Sequence, residues 1–405
     1  MRPAPVSILA LLLVASVALP AGSTVSTPVG DQPAVAQFDE PSVIAPIDNF
    51  ANRASISGEN VTTSSYDGVS VDVAIAVEAD AASLRSTYHT TAFEDQFYGT
   101  QQSSERDEII TTHIRWAEAR TTELRDRREA AIDGFATGDH STRSLVRSLA
   151  LIDSEAGRVA ATVRQIKNIA RTSSYSLPRS LDTRLENLRG ELEVLEGPVA
   201  QRAARAVRGD EAIESVYVET SNSGYTLAMI DGDTYFDERQ PSAVDQFRES
   251  DLYLLNAANR RWVELYPWIA NDTSPSSQTL GETGIYRFRA EYTSGDLTAY
   301  LDGGTTNVFR ESQRQSVAAV PVTDTVTEQN GSVALQVNLT YQTGPMNVAV
   351  VDNDTGEPLD ATVSLSGERM GRTGADGTLW LVEPRPGVPL TVRTDGGLVE
   401  VRLPP

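Results

Sequence analysis

The 405-residue chain has no cysteine, three histidines and a single lysine, Lys167, among its 34 basic residues. Without cysteine there are no disulfides, thiolate zinc sites, cysteine nucleophiles or lipid-modified N-terminal cysteine. Stability must come from packing, ion pairs and solvent. His89, His113 and His140 stand far apart and form no His-Glu-x-x-His motif, so a histidine-centred active site is not expected. His113 falls between the apolar residues of a helix and is expected as a partly buried structural imidazole. His140 lies in a break between helices and is expected to face solvent. There is no Gly-x-Ser-x-Gly elbow, phosphate loop or dinucleotide fingerprint. Carboxylate pairs of the glycosidase kind carry no information in so acidic a chain.

Acid is what the chain has in excess: 56 Asp and Glu against 34 basic residues, a net charge of -22, with 33 of the basic residues arginine. An acidic, lysine-poor surface suits concentrated salt, where carboxylates hold water and cations and mutual repulsion is screened. The same charge repels nucleic-acid phosphates, so no nucleic-acid partner is expected. The excess is unevenly placed. Residues 101–210 hold 18 basic and 17 acidic residues, and the remainder 16 and 39.

Met1-Arg2, an apolar run from Val6 to Leu19 and the small residues Ala21-Gly22-Ser23 read as a secretory signal over 1–21. If uncleaved, this segment is the one expected route to membrane association. Residues 22–60 form a linker or irregular lead-in rich in Pro, Ser, Asp and Ala. The alternation Val69, Val71, Val73, Ile75, Val77 predicts a strand, followed by a short helix from Ala81 to Phe97. The segment 61–210 is then a strand plus a long helical coiled-coil domain.

Its clearest signal is a heptad seam: Leu145, Leu149, Ile152, Ala156, Val159, Val163, Ile166 and Ala170 alternate at spacings of four and three. Leu181, Leu185, Leu188, Leu192, Leu195 and Val199 continue the pattern in a third helix. Ile110, Ile114, Ala117, Leu124, Ala131 and Phe135 carry it in the first, with Thr121 and Arg128 interrupting. Short breaks at Gly134–Ser141 and Ser173–Pro178 make neighbouring helices antiparallel. Three helices of about 30 residues predict an arm about 45 Å long, and Pro198 should kink the third.

An α+β segment is expected over 211–283, with a hairpin at Asp231-Gly232 and a helix from Val244 to Leu265, and a β-rich domain over 284–343. The fold class is therefore multidomain α+β: an antiparallel three-helix coiled-coil arm, an α+β segment and one or more C-terminal β-sandwich modules.

Two resemblances extend this reading. Val350-Val351-Asp352, Thr355-Gly356-Glu357-Pro358-Leu359, Ala361-Thr362-Val363-Ser364-Leu365 and Thr373-Gly374-Ala375-Asp376-Gly377-Thr378 resemble the carboxypeptidase regulatory-like, or transthyretin-like, β-sandwich, over 344–405. That resemblance implies a non-catalytic accessory module. From about Ile44 to Tyr341 the chain resembles an uncharacterised family of exported haloarchaeal proteins. The resemblance is carried by Ser64-Ser65-Tyr66, the Arg/Glu helices, Gly197-Pro198-Val199, Tyr217-Val218-Glu219-Thr220 and Ile230-Asp231-Gly232-Asp233. It implies compartment and fold, with no activity.

Three sets of side chains stand out as candidate sites. Asp231, Asp233, Asp237 and Glu238 near one hairpin, and Asp352, Asp354 and Glu357 near another, are weak calcium candidates, since calcium needs several converging oxygens. Turn formation is the competing explanation. Trp262, Tyr266 and Trp268 form an aromatic group that either meets sugar or peptide or packs between helix and sheet. Sequons at Asn60, Asn271, Asn330, Asn338 and Asn353 offer glycan sites in an exported chain. No catalytic residues and no cofactor are expected. The leading expectation is a non-catalytic, secreted or cell-surface protein that meets an envelope protein or glycan. An exported hydrolase or peptidase accessory subunit is one alternative, and a sugar- or peptide-binding surface receptor is another.

Overall fold

The computed structural model describes residues 44–45, 53–56, 60–172, 175–221, 224–241, 255–268 and 275–404. The expected signal segment, most of the lead-in, Asn271 and the first half of the helix expected at Val244–Leu265 lie outside the described residues. Two short strands, β1 (Ile44–Ala45) and β2 (Arg53–Ala54), precede β3 (Thr63–Val69). Five helices follow: α1 (Val73–Gly99), α2 (Ser103–Ala136), α3 (Thr142–Thr172), α4 (Arg179–Glu193) and α5 (Pro198–Arg208). Next come β4 (Ile213–Thr220), β5 (Tyr225–Asp231), β6 (Thr234–Gln240) and α6 (Leu255–Leu265). Strands β7 (Ser276–Thr279), β8 (Ile285–Tyr292), β9 (Gly295–Asp302) and β10 (Val308–Ser316) complete one sheet of eight strands, ordered β3-β4-β5-β6-β10-β9-β8-β7 and antiparallel throughout.

The strand expected across Val69–Val77 is helical after residue 72. Asp72 caps α1, accepting the N–H groups of Ala74 at 3.0 Å and Ile75 at 3.1 Å. Ala74, Ala76, Ala79, Ala81 and Ala82 favour the helix that follows. The alternating valines do not mark one buried face. Val71, Val73 and Val77 are exposed, while Val69, at the end of β3, is buried and Ile75 packs against the same core.

The heptad seam of α3 is buried from Leu145 to Ala170, as is the ridge from Leu181 to Val199. The bundle has four helices, however, not three. Arg158 donates to Ser83, Thr90 meets Thr162 and Gln165 donates to Glu94, so α1 lies along α3 in the same direction. The short connection from Ala136 to Thr142 sets α2 antiparallel to α3, and the Arg120–Glu155 ion pair joins them. Arg184 to Glu118 and Arg128 to the Val194 carbonyl set α4 parallel to α2. The order is up-down-up-down. Nor do the helices form a free-standing arm. Phe135, Leu145, Val199, Ala203 and Val207 share a core with Val216, Leu227 and Phe236 of the sheet. Since β3 pairs with β4, helices α1–α5 are one insertion between two neighbouring strands.

The sandwich comprises β11 (Asp324–Asn330), β12 (Val333–Leu339), β13 (Pro345–Asp352), β14 (Thr362–Leu365), β15 (Glu368–Arg372), β16 (Thr378–Val382), β17 (Pro389–Thr394) and β18 (Gly397–Arg402). Its two sheets are β11-β12-β13-β16 and β15-β14-β17-β18. Their inward residues, among them Leu335, Val348, Val363 and Val392, form one core. The boundary expected at residue 344 falls between β12 and β13, whose pairing runs from Val333 opposite Asp352 to Asn338 opposite Asn347, so the sandwich starts at β11.

Candidate functional site

Strands β6 and β10 lie side by side at the middle of the eight-stranded sheet, with Arg239 opposite Glu311 and Asp237 opposite Gln313. Both strands are polar, yet both are buried: Asp237, Glu238 and Glu311 are fully inaccessible, and Arg239 and Arg310 almost so. Successive side chains point to opposite faces. Tyr235, Asp237, Arg239, Glu311, Gln313 and Gln315 therefore form one cluster, beneath α6 and the sandwich. Glu238 and Arg310 form another, beneath the helices.

On the sandwich face Asp237 is the hub. Its Oδ2 accepts Arg239 Nε at 2.8 Å and Arg53 Nη1 at 3.2 Å, and its Oδ1 accepts the Gln313 N–H at 3.0 Å. Burial works against charge on Arg239, but Asp237 reverses this and holds its pKa above the ordinary arginine value. Glu311 accepts the Ala54 N–H at 2.9 Å, Gln313 Nε2 at 2.9 Å and the Tyr266 hydroxyl. Burial, with Asp237 nearby, raises its pKa. The Tyr235 hydroxyl donates to the Thr343 carbonyl at 2.6 Å, and Arg239 Nη2 to the Thr343 hydroxyl at 2.9 Å, joining sheet to sandwich. A second junction is the two-pronged pair of Arg385 with Glu219, at 2.7 and 2.6 Å, with the Tyr217 hydroxyl donating to Glu219 at 2.8 Å.

On the helix face Glu238 Oε2 accepts the first free N–H groups of α5, from Val199 at 3.2 Å and Ala200 at 3.3 Å. Gly197-Pro198 thus does more than kink a helix. α4 already ends at Glu193, and Gly197-Pro198 starts a separate helix on a buried carboxylate. Asp153 accepts the Gly197 N–H at 2.8 Å. Arg310 donates to the Tyr225 hydroxyl at 2.6 Å and the Glu196 carbonyl at 2.5 Å. Arg128, expected as an interruption of the α2 seam, is buried and donates to the Val194 carbonyl at 2.8 Å. Burial pushes the Asp153 carboxyl up to about 8 and Arg128 down to about 10.

The calcium candidates do not converge. Asp237 and Glu238 are buried on opposite faces, while Asp231 pairs with Arg202. Asp352 accepts the N–H groups of Asp354 at 3.0 Å and Thr355 at 2.9 Å, a turn-forming role, and those bonds hold its carboxyl below the usual range. Among the described residues no group of three or more His, Asp or Glu is arranged to hold a metal ion. Trp262 and Tyr266 are core residues. Trp262 stacks on Phe288 at 4.7 Å, and Trp268 packs edge-on against Tyr292 at 4.9 Å. Of the sequons, Asn60, Asn330 and Asn353 are exposed and Asn338 is half-buried. His140 is exposed, whereas His89 and His113 meet in the bundle, with ring centres 5.7 Å apart and His89 stacked on Trp116 at 3.9 Å. Burial lowers the pKa of both.

Sequence reasoning singled out Asp237 only as a calcium candidate and missed its pairing with Arg239 and Arg53, and the whole of β10. The available signal was negative. Thr234–Gln240 and Val308–Ser316 lack apolar alternation but lie between segments that have it.

Comparison with protein families divides the chain into three. Residues 216–321 match a family of unknown function (DUF7094), and residues 324–401 an archaeal fibronectin-III type-like domain. The C-terminal match is thus to a fibronectin-III type sandwich, and the carboxypeptidase regulatory-like resemblance finds no support in it. No curated protein and no solved structure matches the chain. Residues 1–212 match a domain of unknown function (DUF7096), whose limit falls just before β4, although β3 and β4 pair across it. With that match covering more than half of its length, the chain belongs to the DUF7096 family.

Proposed function

We propose that this is a non-catalytic structural or interaction protein of the cell envelope, exported and adapted to high salt. One observation carries the reading. The strongest concentrations of buried charge are filled by the chain's own arginines, Arg53, Arg239 and Arg310, and tie helices, sheet and sandwich together. Such clusters serve as joints of a scaffold. The apolar run Val6–Leu19 supports export, and 56 acidic residues beside one lysine support salt adaptation. In this reading the helical bundle is the part offered to a partner, an envelope protein or glycan, and exposed Asn60, Asn330 and Asn353 carry glycans.

Fractionation of native cells at high salt, followed by mass spectrometry of the mature N-terminus, tests this. Recovery in the envelope or medium, with a new N-terminus near Ala21 or an intact embedded one, is the expected result. Recovery of the full chain in the cytoplasm contradicts it.

A further inference from the structure

Residues 53–56 are inserted between the eight-stranded sheet and the sandwich and, apart from the short pairing of β2 with β1, meet partners far away in sequence. Arg53, Ala54 and Ile56 are buried. Arg53 pairs with Asp237, the Ala54 N–H donates to Glu311, and the Ile56 carbonyl accepts Arg385 Nη2 at 3.3 Å. The Arg53 guanidinium lies flat enough on Tyr341 to place Cζ 3.4 Å from the ring centre. Each wall of its pocket is held without it. Asp237 is fixed by Arg239 and the Gln313 N–H, Tyr341 by a hydrogen bond to Gln315 at 2.7 Å, and Glu311 by Tyr266 and Gln313. The fit of Arg53 is incomplete, because its Nε and Nη2 have no hydrogen-bond partner among the described residues. Around the hub, two arginines balance two carboxylates, so loss of Arg53 leaves an anionic, aromatic-walled pocket.

We propose that this pocket is a preformed guanidinium-binding site, occupied in cis by Arg53, with residues 53–56 acting as a strap across the sheet–sandwich junction. Its ligand class is the alkylguanidinium cation, an arginine side chain from this chain or another. An aromatic face and a buried carboxylate select a planar cation over an ammonium ion.

The test uses the full-length chain at high salt with N-ethylguanidinium as probe. Arg53→Ala should unfold at lower temperature than the wild type. N-ethylguanidinium should raise its Tm in a saturable way, because the probe binds the folded state. The wild type and the double variant Arg53→Ala with Asp237→Asn should show no such rise, and ethylammonium should not replace the probe. An Arg53→Ala response no greater than that of the double variant overturns the proposal, as does equal rescue by ethylammonium. If Arg53→Ala is recovered only as aggregate, refolding yield serves as the readout. A gain with N-ethylguanidinium confined to the single variant supports the site, and equal yields overturn it.

Discussion

Gly197 and Glu238 are packed so closely that a Cβ on the glycine would run into the Glu238 carboxylate. The glycine therefore lets a buried acid on the sheet reach the N–H groups that open α5. Gly197→Ala should cost about 3 kcal/mol, through overpacking and loss of the cap. Chemical denaturation checks this. Gly138→Ala, where no atom stands in the way but φ is +84°, should cost only about 1 kcal/mol.

Asp153 gives the helix face a pH signature. Its folded pKa, about 8, lies above the ordinary 3.8, so the folded state binds the proton more tightly. The resulting stabilisation is complete below the unfolded value and is lost as pH rises through the folded one. Between these limits stability should fall with pH, with a slope of at most about 1.4 kcal/mol per pH unit. Asp153→Asn, which stays neutral and accepts the Gly197 N–H, should remove that contribution. Equal slopes for wild type and variant over pH 5 to 8 would refute the assignment.

The bundle seams were legible in the sequence because apolar residues at spacings of four and three have one physical use. Leu145 to Ala170 and Leu181 to Val199 are buried accordingly. Alternation was a poorer guide. The valines at 71, 73 and 77 are exposed, because Asp72 caps a helix there. The centre of the sheet was illegible for the opposite reason. On β6, Asp237, Glu238 and Arg239 occupy both faces, and their burial is made tolerable largely by partners remote in sequence, such as Arg53, Val199, Gln313 and Thr343. The aromatic group at Trp262–Trp268 read equally as patch or core, and Phe288 decides for core.

Glu219 is buried and Arg385 mostly so, which makes their pair sensitive to the loss of one member. Arg385→Ala should destabilise by about 3 kcal/mol, since it strands a carboxylate. Double-mutant cycles with Glu219→Ala should give a coupling of about 2 kcal/mol. A coupling near zero would show that the contact contributes nothing to docking.

Salt should act mainly outside the nearly neutral helical segment. The 39 acidic residues outside 101–210 repel one another at low ionic strength, and at 1 M salt the screening length is about 3 Å. Hydrogen exchange at falling salt should show protection lost first from β11–β18 and the sheet edges. Simultaneous loss in α3 and α4 would count against this distribution of charge.

The scaffold reading depends on sheet and sandwich being joined into one cooperative body by Tyr235 and Arg239 with Thr343, and by Glu219 with Arg385. Differential scanning calorimetry of the full-length protein at high salt measures this directly. A single transition, split into two by combining Arg385→Ala with Thr343→Val, is the expected result. Two well-separated transitions already present in the wild type would contradict it.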